Sequence, residues 1–406
     1  MRTVIISETN AKNTSYIGSM LPKYLSRCGA EVHVITSQLF PYYYRKDFKE
    51  TYSQFGNLSK APPYQSQFVD GYTVHTLPYT KIFDYVCLKG IFKKLKKLSP
   101  DIVYSLTAIG WLALSAAIAK VFIGYRLFTG SHTTASTFPL ASKNTHLWNK
   151  ERLKCFITRF IHGRFVSLAT EKCYAPTKDC AEIAWRFFGV QKKKVSVIFL
   201  GVDRDYFFSI NSSSLFEERK KTRSILGFRD DEIVCIYTGK MSEEKNPAIL
   251  AETIDCLKSN GFPYRGLFIG SGVQSTKVAT HKSCVVLNFM PYQMLAKYYR
   301  ASDIGVWPTN ESTSMLDAAA CGIPLIVSDG IVYREHVNGN GVVYHMNNRQ
   351  DLFNALLSLQ DVNKRKILGC AGAEKMARYF CWESIAQRRM KDFEDSLNRR
   401  TRFLGQ

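Results

Sequence analysis

One pattern narrows the fold of this chain more than any other: a short apolar strand, a loop, a helix and a second strand, spaced as a βαβ unit and recurring along both halves. The first copy opens the chain. Thr3 to Ser7 reads as a buried strand and Glu8 to Thr14 as a polar loop. Met20, Leu21, Tyr24 and Leu25 then recur at helical spacing before Gly29, and Val32 to Thr36 is the next strand. Ile102 to Leu106, Leu127 to Gly130 and Val195 to Leu200 continue the series. Such alternation predicts a parallel sheet with helices on both faces.

The pattern restarts after the polar stretch Asn211 to Arg223. Strands are expected at Ile233 to Tyr237, Tyr264 to Ile269, Val285 to Leu287, Ile304 to Trp307 and Leu325 to Ser328. Helices are expected at Asn246 to Lys258, Tyr292 to Arg300, Ser312 to Cys321 and Gln350 to Leu359. The 406 residues suffice for two doubly wound α/β domains, 1–203 and 204–380, joined near Asp203 to Arg223. The remainder, 381–406, holds a closing helix that could pack on either. Ligands of open α/β sheets bind beyond the carboxyl ends of the strands, so the expected site is a central cleft that the two domains face.

Composition adds mainly charge. The net charge is +21, from 55 Lys and Arg against 34 Asp and Glu. Such an excess favours anionic partners: nucleic acid, acidic lipid headgroups or phosphorylated substrates. No nucleic-acid recognition motif is present, and nucleic acid is not expected as a partner. Lys93, Lys94, Lys96 and Lys97 sit among Ile91, Phe92, Leu95 and Leu98. That is a short basic amphipathic helix, suited to an anionic membrane surface or simply to a solvated helix face. Lys192 to Lys194 and Arg219 to Arg223 read as ordinary surface clusters. The eleven cysteines contain no CxxC pair, which fits reduced thiols better than zinc or redox chemistry. No signal peptide is apparent. The uncharged run Ile102 to Ala119 divides into a strand and a helix rather than forming a membrane span. The expected location is cytoplasmic, peripheral on the inner membrane face.

The segment Val306 to Asp329 carries the chemistry. A strand ends at Trp307-Pro308, a polar loop reaches Glu311, and the helix Ser312 to Cys321 follows, with Gly322 as its C-cap and Pro324 blocking continuation. Ser312, Thr313 and Ser314 leave backbone N–H groups for an anion at a helix N-terminus, where a diphosphate docks without a metal. Asp317, further along, suits the hydroxyls of a ribose. A plain capped helix, with Asn310 or Ser312 as the cap, reads equally well. Lys240 and Lys245 follow a strand and Gly239, as a pair of diphosphate-binding cations or an exposed loop. Gly270-Ser271-Gly272 is a strand-to-loop turn and not a complete GxGxxG fingerprint.

Taken in order, these pieces resemble family 4 retaining glycosyltransferases of the GT-B fold, the kind that builds bacterial surface polysaccharides. The matching residues are Gly201-Val-Asp, Gly239-Lys-Met-Ser-Glu-Glu-Lys-Asn, Phe268-Ile-Gly-Ser-Gly, Tyr298-Tyr-Arg-Ala-Ser-Asp-Ile-Gly-Val-Trp-Pro, and Glu311 to Pro324. The first half matches more loosely, through its first βαβ unit, Pro100-Asp-Ile-Val-Tyr and Gly130-Ser-His132. Phe380-Cys-Trp382-Glu resembles the family's closing helix, which crosses back to the N-terminal domain.

The resemblance implies roles residue by residue. Lys240 and Lys245 bind the donor diphosphate, Gly270, Ser312, Thr313, Ser314 and Met315 line the donor site, and Asp317 binds the ribose. Glu311 orients the transferred sugar, and His132 contacts it near the reacting carbon. Gly18 stands where the family's acceptor-side loop carries paired glycines. Lys240 departs from the family's Arg, keeping the charge but losing the planar fork. Five residues separate Glu311 from Asp317 where the family has seven between two Glu. The implied reaction is retaining transfer of a sugar from a nucleoside diphosphate sugar to a hydroxyl of a saccharide or lipid-linked acceptor. No cofactor or metal is expected, and Asp203-Arg-Asp205 is not read as a metal-binding DxD. A nucleotide-sugar epimerase of the same fold and a catalytically silent nucleotide-binding scaffold are the alternatives.

Overall fold

The computed structural model describes residues 1–9, 14–41, 43, 62–82, 85–135, 137–141, 150–331 and 333–404, so part of the loop expected at Glu8 to Thr14 lies outside the described residues. The chain divides into two compact units. One comprises Met1–Tyr43, Ser59–Leu200 and Trp382–Gln406, and the core of the other is Gly201–Cys381. The boundary therefore falls at Gly201 rather than at residue 204. Val202 forms a bridge to Cys381, and Asp203 Oδ2 accepts from Tyr292 OH at 3.0 Å, which fastens 201–203 to the second unit.

In chain order the first unit has β1 (Arg2–Ile6), α1 (Ile17–Arg27), β2 (Glu31–Thr36), β3 (Ser66–Val69), β4 (Tyr72–Thr76), β5 (Tyr79–Ile82), β6 (Tyr85–Leu88) and α2 (Ile91–Leu98). There follow β7 (Ile102–Ser105), α3 (Gly110–Ile123), β8 (Arg126–Gly130), α4 (Lys150–Cys155), α5 (Ile161–Ala169), β9 (Thr170–Ala175), α6 (Lys178–Arg186) and β10 (Val195–Val197). Among the described residues eight strands form one sheet, ordered β10-β9-β8-β7-β1-β2-β4-β3, parallel except at β3, and β5 and β6 form a hairpin. The central parallel strands β1, β7 and β8 are buried almost throughout and are accordingly largely apolar. Ile102 to Ala119 is β7 followed by α3, and no helix among the described residues is long and apolar enough to cross a membrane.

The second unit contains α7 (Ser213–Ile225), β11 (Ile233–Thr238), α8 (Pro247–Ser259), β12 (Tyr264–Ile269), α9 (Ser275–Ala279), β13 (Cys284–Leu287), α10 (Ala296–Ala301) and β14 (Ile304–Trp307). It continues with α11 (Ser314–Ala320), β15 (Leu325–Ser328), β16 (Gly341–Tyr344), α12 (Arg349–Leu357) and α13 (Val362–Tyr379). Its described strands form a parallel sheet ordered β13-β12-β11-β14-β15-β16. Pro247 opens α8 at its first turn, where its missing N–H costs nothing. The last helix, α14 (Trp382–Leu404), belongs to the first unit and packs against α1 and β8.

Three sequence expectations change. The polar stretch read as a linker is mostly the helix α7, capped by Ser212, whose Oγ accepts from Leu215 N. Its arginines are not a surface cluster: Arg223 is buried, and Arg219 and Arg223 both pair with Asp303, at 2.7 and 3.1 Å. Lys194 is likewise engaged, donating to Ser167 O at 2.8 Å and Thr170 O at 2.6 Å, so that it caps the C-terminus of α5. Third, α2 spends most of its apolar face on the core. Ile91 and Leu95 are buried there, which leaves Phe92 as its exposed large apolar side chain.

Candidate functional site

The second sheet reverses direction between β11 and β14, since β12 and β13 step away on one side and β15 and β16 on the other. The loops leaving the carboxyl ends of β11 and β14 therefore run side by side, at the position where sheets of this type bind ligands. Side chains lace the two loops together. Lys245 Nζ donates to Glu311 O at 3.2 Å, and Asn310 Nδ2 donates to Glu244 Oε1 at 3.2 Å. The Glu311 carboxylate is fixed separately, accepting from Tyr333 N at 3.2 Å. Burial lowers the pKa of the Lys245 ammonium, and the neighbouring carboxylates of Glu244 and Glu311 work in the opposite direction. A cation held in such a low-dielectric place interacts strongly with an arriving anion.

Backbone contacts set the floor. The ladder of β11 and β12 runs past the strand ends, with Gly239 N donating to Ile269 O and Met241 N to Ser271 O, both at 3.0 Å. Gly270 has φ +153°, and a Cβ there would come within 1.8 Å of Gly239 O. Only glycine permits that approach, so Gly270 fixes the course of the loop carrying Lys240 and Lys245. Tyr237 OH donates to Lys240 O at 2.7 Å and anchors the same loop.

The helix expected at Ser312 to Cys321 is shorter, running from Ser314 to Ala320. Its N-terminal groups already have partners within the chain. Ser314 N donates to Ser312 Oγ and Ser312 N to Met315 Sδ, each at 3.4 Å, and Met315 N donates to Ser312 O at 3.1 Å. Of the N–H groups expected to be open at Ser312, Thr313 and Ser314, those of Ser312 and Ser314 are thus drawn into a tight entry turn in which Thr313 already has helical φ and ψ. Met315 is itself fully buried. The two long contacts at 3.4 Å are the ones a diphosphate would displace most easily. Ser312 Oγ and Ser314 Oγ lie 2.7 Å apart, and Ser314 Oγ donates to Thr238 O at 3.2 Å, as does Trp307 Nε1. Thr238 and Trp307 thereby pin the helix start to the sheet.

Asp317, on α11, is buried. Burial, with the Asp203 carboxylate as a second cause, pushes its pKa well above the usual carboxylate range. A protonated carboxyl can both donate and accept a hydrogen bond, which suits a diol. Asp203 Oδ1 accepts from Asp205 N at 3.1 Å while its Oδ2 holds Tyr292 OH.

In the first unit, His132 follows the end of β8. Its Nε2 is buried without a hydrogen-bond partner among the described residues and lies 2.8 Å from where a Cβ on Gly130 would sit. Burial, then the Arg389 guanidinium, lowers its pKa to about 4. Gly18 lies in the first turn of α1.

Comparison with known proteins places the chain in a family. Residues 20–206 match the family described as Glycosyltransferase Family 4, and 232–361 that described as Glycosyl transferases group 1. The structure of HepE from Anabaena, solved with UDP and with UDP-glucose, superposes with a TM-score of 0.67 over 97% of this chain and 100% of its own, at 13% identity. The chain belongs to the family 4-like glycosyltransferases of GT-B fold. A D-inositol 3-phosphate glycosyltransferase of Geodermatophilus obscurus is 26% identical over 55% of this chain and 52% of its own length. The chain thus spans about half of that protein. An alpha-monoglucosyldiacylglycerol synthase of Acholeplasma laidlawii is 24% identical over 64% of this chain and 67% of its own.

Within this GT-B chain, the second unit brings Lys245, Glu311 and the start of α11 together at the switch point, with the Gly270 turn beneath the loop of Lys240. Sequence reasoning missed the amide of Tyr333, which fixes the Glu311 carboxylate from well beyond β15. A backbone donor leaves no side-chain signature, so nothing at that position announced it. Trp307 did have a signal, an aromatic residue at a strand end before Pro308.

Proposed function

We propose that the chain transfers a sugar, with retention of anomeric configuration, from a nucleoside diphosphate sugar to a hydroxyl of a saccharide or lipid-linked acceptor. The observation that carries this reading is the juxtaposition of the Lys245 ammonium with the fixed Glu311 at the β11/β14 switch point. Negative charge grows on the diphosphate as the glycosidic bond breaks. Lys240 and Lys245 are the cations in reach of it by sequence position, and a partly desolvated ammonium stabilises that charge more than an exposed one. Glu311, immobilised by Tyr333 N, orients the sugar, and Asp317 takes the ribose hydroxyls. His132, neutral at pH 7 with its pKa near 4, serves as a hydrogen-bonding group toward the sugar rather than as a cation.

The lipid-linked acceptor is supported by the named activity of the Acholeplasma relative and by the excess positive charge of +21. The nucleotide donor is supported by the UDP and UDP-glucose complexes of HepE. A thermal-shift screen of nucleoside diphosphates and their sugars tests the donor. Transfer assays on Lys245→Ala and Glu311→Ala test the site, because unchanged activity in both would dismiss it. Isomerisation of the intact donor with no transfer to an acceptor would instead indicate epimerisation, and nucleotide binding with no turnover a silent scaffold.

A further inference from the structure

The run Lys150 to Ala169 is a helix turned inside out. It consists of α4, a π-helical turn Phe156–Phe160, and α5. Its inward positions are small or short: Cys155, Gly163, Val166 and Ser167 are buried. The reason is a close approach, for a Cβ on Gly163 would lie 1.9 Å from Phe188 O. With no room inside, the large apolar residues point out. Leu153, Phe156, Ile157, Ile161, Phe165 and Leu168 are each 41–62% exposed. Their spacing of three and four residues makes one continuous stripe, about 22 Å long at 1.5 Å per residue. Scattered exposed apolar residues need no explanation, whereas a continuous stripe of six marks a contact surface.

Charge decides what that contact is. The same run carries Lys150, Arg152, Lys154, Arg159 and Arg164 against Glu151 as its acid. Arg152, Arg159 and Arg164 rest over the rings of Phe187, Phe138 and Phe160 at 5.9, 5.1 and 5.6 Å. The surface continues onto the neighbouring helices. Lys120 Nζ donates to Ala169 O at 2.6 Å, which joins the C-terminal ends of α3 and α5. Beside Lys120, Val121 and Phe122 are 80% and 73% exposed. Phe122 meets Phe92 of α2 edge-on at 5.9 Å, and α2 supplies four more lysines. An apolar stripe bordered by cations matches the boundary between acyl chains and anionic headgroups.

We propose that the α4–α5 face is a membrane-docking surface, lying flat on an anionic bilayer with its stripe at the acyl boundary and its Lys and Arg at the phosphates. It gives the lipid-linked acceptor of the proposed reaction a place to be met, and it rests on that reading only for this purpose. The expectation drawn from α2 alone is thereby relocated, since α2 spends Ile91 and Leu95 on the core.

Vesicle co-sedimentation of the full chain tests the surface without reference to catalysis. Pure phosphatidylcholine vesicles should leave the chain in solution, and phosphatidylcholine–phosphatidylglycerol vesicles should sediment it. The triple variant Phe156→Ser, Ile157→Ser, Phe165→Ser should lose more than about tenfold in partitioning, as expected when apolar side chains leave the interface. The charge variant Lys150→Glu, Lys154→Glu, Arg164→Glu should lose about a hundredfold or more at low salt. Every altered side chain is exposed or on the polar border, and an unchanged circular dichroism spectrum and nucleotide thermal shift would verify folding. Equal binding to both vesicle types, or full binding by the serine variant, overturns the proposal. So does a wild-type chain that ignores vesicles yet forms a dimer that the serine variant abolishes, which would make a second copy the occupant. A missing nucleotide shift with intact vesicle binding would instead strike the transferase reading and leave the surface standing.

Discussion

Among the described residues, the two most deeply buried arginines lie one in each unit, and they are used in opposite ways. Arg223 of α7 and Arg389 of α14 are each 1% exposed. The terminal nitrogens of Arg223 reach Ala301 O and Asp303 Oδ2 at 3.1 Å, Arg229 O at 2.8 Å and Glu232 O at 2.5 Å. Asp303 in turn holds Arg219 and the amide of Val234. That arginine clamps α7 to the amino-terminal ends of the two central strands, β11 and β14. Arg389 has no such set. It lies over the rings of Tyr104 and Tyr174 at 5.0 and 4.4 Å, and its Nε and Nη1 have no hydrogen-bond partner among the described residues. A buried cation of this kind is costly to keep. Its visible consequence is electrostatic, because it helps hold His132 neutral. Burial alone therefore does not tell structure from function. The inventory of acceptors around the buried group does.

The largest expected effect is on the clamped arginine. Arg223→Met takes one of Asp303's donors and leaves the carbonyls of Ala301, Arg229 and Glu232 without the guanidinium, and should cost about 3–5 kcal/mol, read as a large fall in Tm. Arg389→Met removes a buried charge whose Nε and Nη1 have no acceptor among the described residues, and should be neutral or stabilising at pH 7 by about 1–4 kcal/mol. Equal destabilisation by both would end the comparison. Next in size, Lys245→Ala should lower the transfer rate about 10²–10³-fold with Tm nearly unchanged, as for the loss of one preorganised donor to a developing anion. An accompanying collapse of Tm would recast Lys245 as a loop brace for Glu311.

Acid should then separate the two arginines again. His132, His75 and His336 all have pKa values lowered to about 4, each chiefly by burial. For a histidine held neutral in the fold, the unfolded chain binds more protons between its ordinary pKa and the lowered one. Stability therefore falls as pH drops from about 6.5 to about 4, and levels off below. Arg389→Met relieves the like charge on His132 and should make that slope shallower, whereas the slope of an Arg223 variant should not change. Unfolding midpoints at pH 7, 6 and 5 supply the measurement.

Legibility followed the physics of each signal. The β11–β15 strands and α8 were readable because buried parallel strands are unbroken apolar runs and Pro247 marks a helix start. Helix α7 was not, because its polar face dominates and its two structural arginines look like surface charge until Asp303 is placed beside them. Helix α4–α5 escaped for the opposite reason. Its apolar periodicity is real but faces outward, and no local rule distinguishes that from a core-facing stripe. In the site, Lys245 and Glu311 were legible by position, while the lacing of Lys245 to the Glu311 carbonyl and of Glu311 to the Tyr333 amide depends on backbone atoms of distant loops.

The finest test concerns Asp317, a buried carboxyl of the second unit. Its pKa is raised, so the folded chain holds the proton more tightly than the unfolded one. Stability from that source is full below the ordinary carboxylate range and declines as pH rises above it. Asp317→Asn is a neutral isostere, so it should raise Tm more at pH 8 than at pH 5. Asn also keeps one donor and one acceptor for a diol. Binding of the nucleoside diphosphate that shifts the wild-type Tm most should therefore change by no more than about threefold in Asp317→Asn, and weaken about tenfold in Asp317→Ala, where a hydrogen bond is lost outright. Isothermal titration of both variants resolves the difference. Equal weakening by Asn and Ala would mean that the bound nucleotide draws Asp317 into its ionised form, compensated by a cation, as Arg223 compensates Asp303.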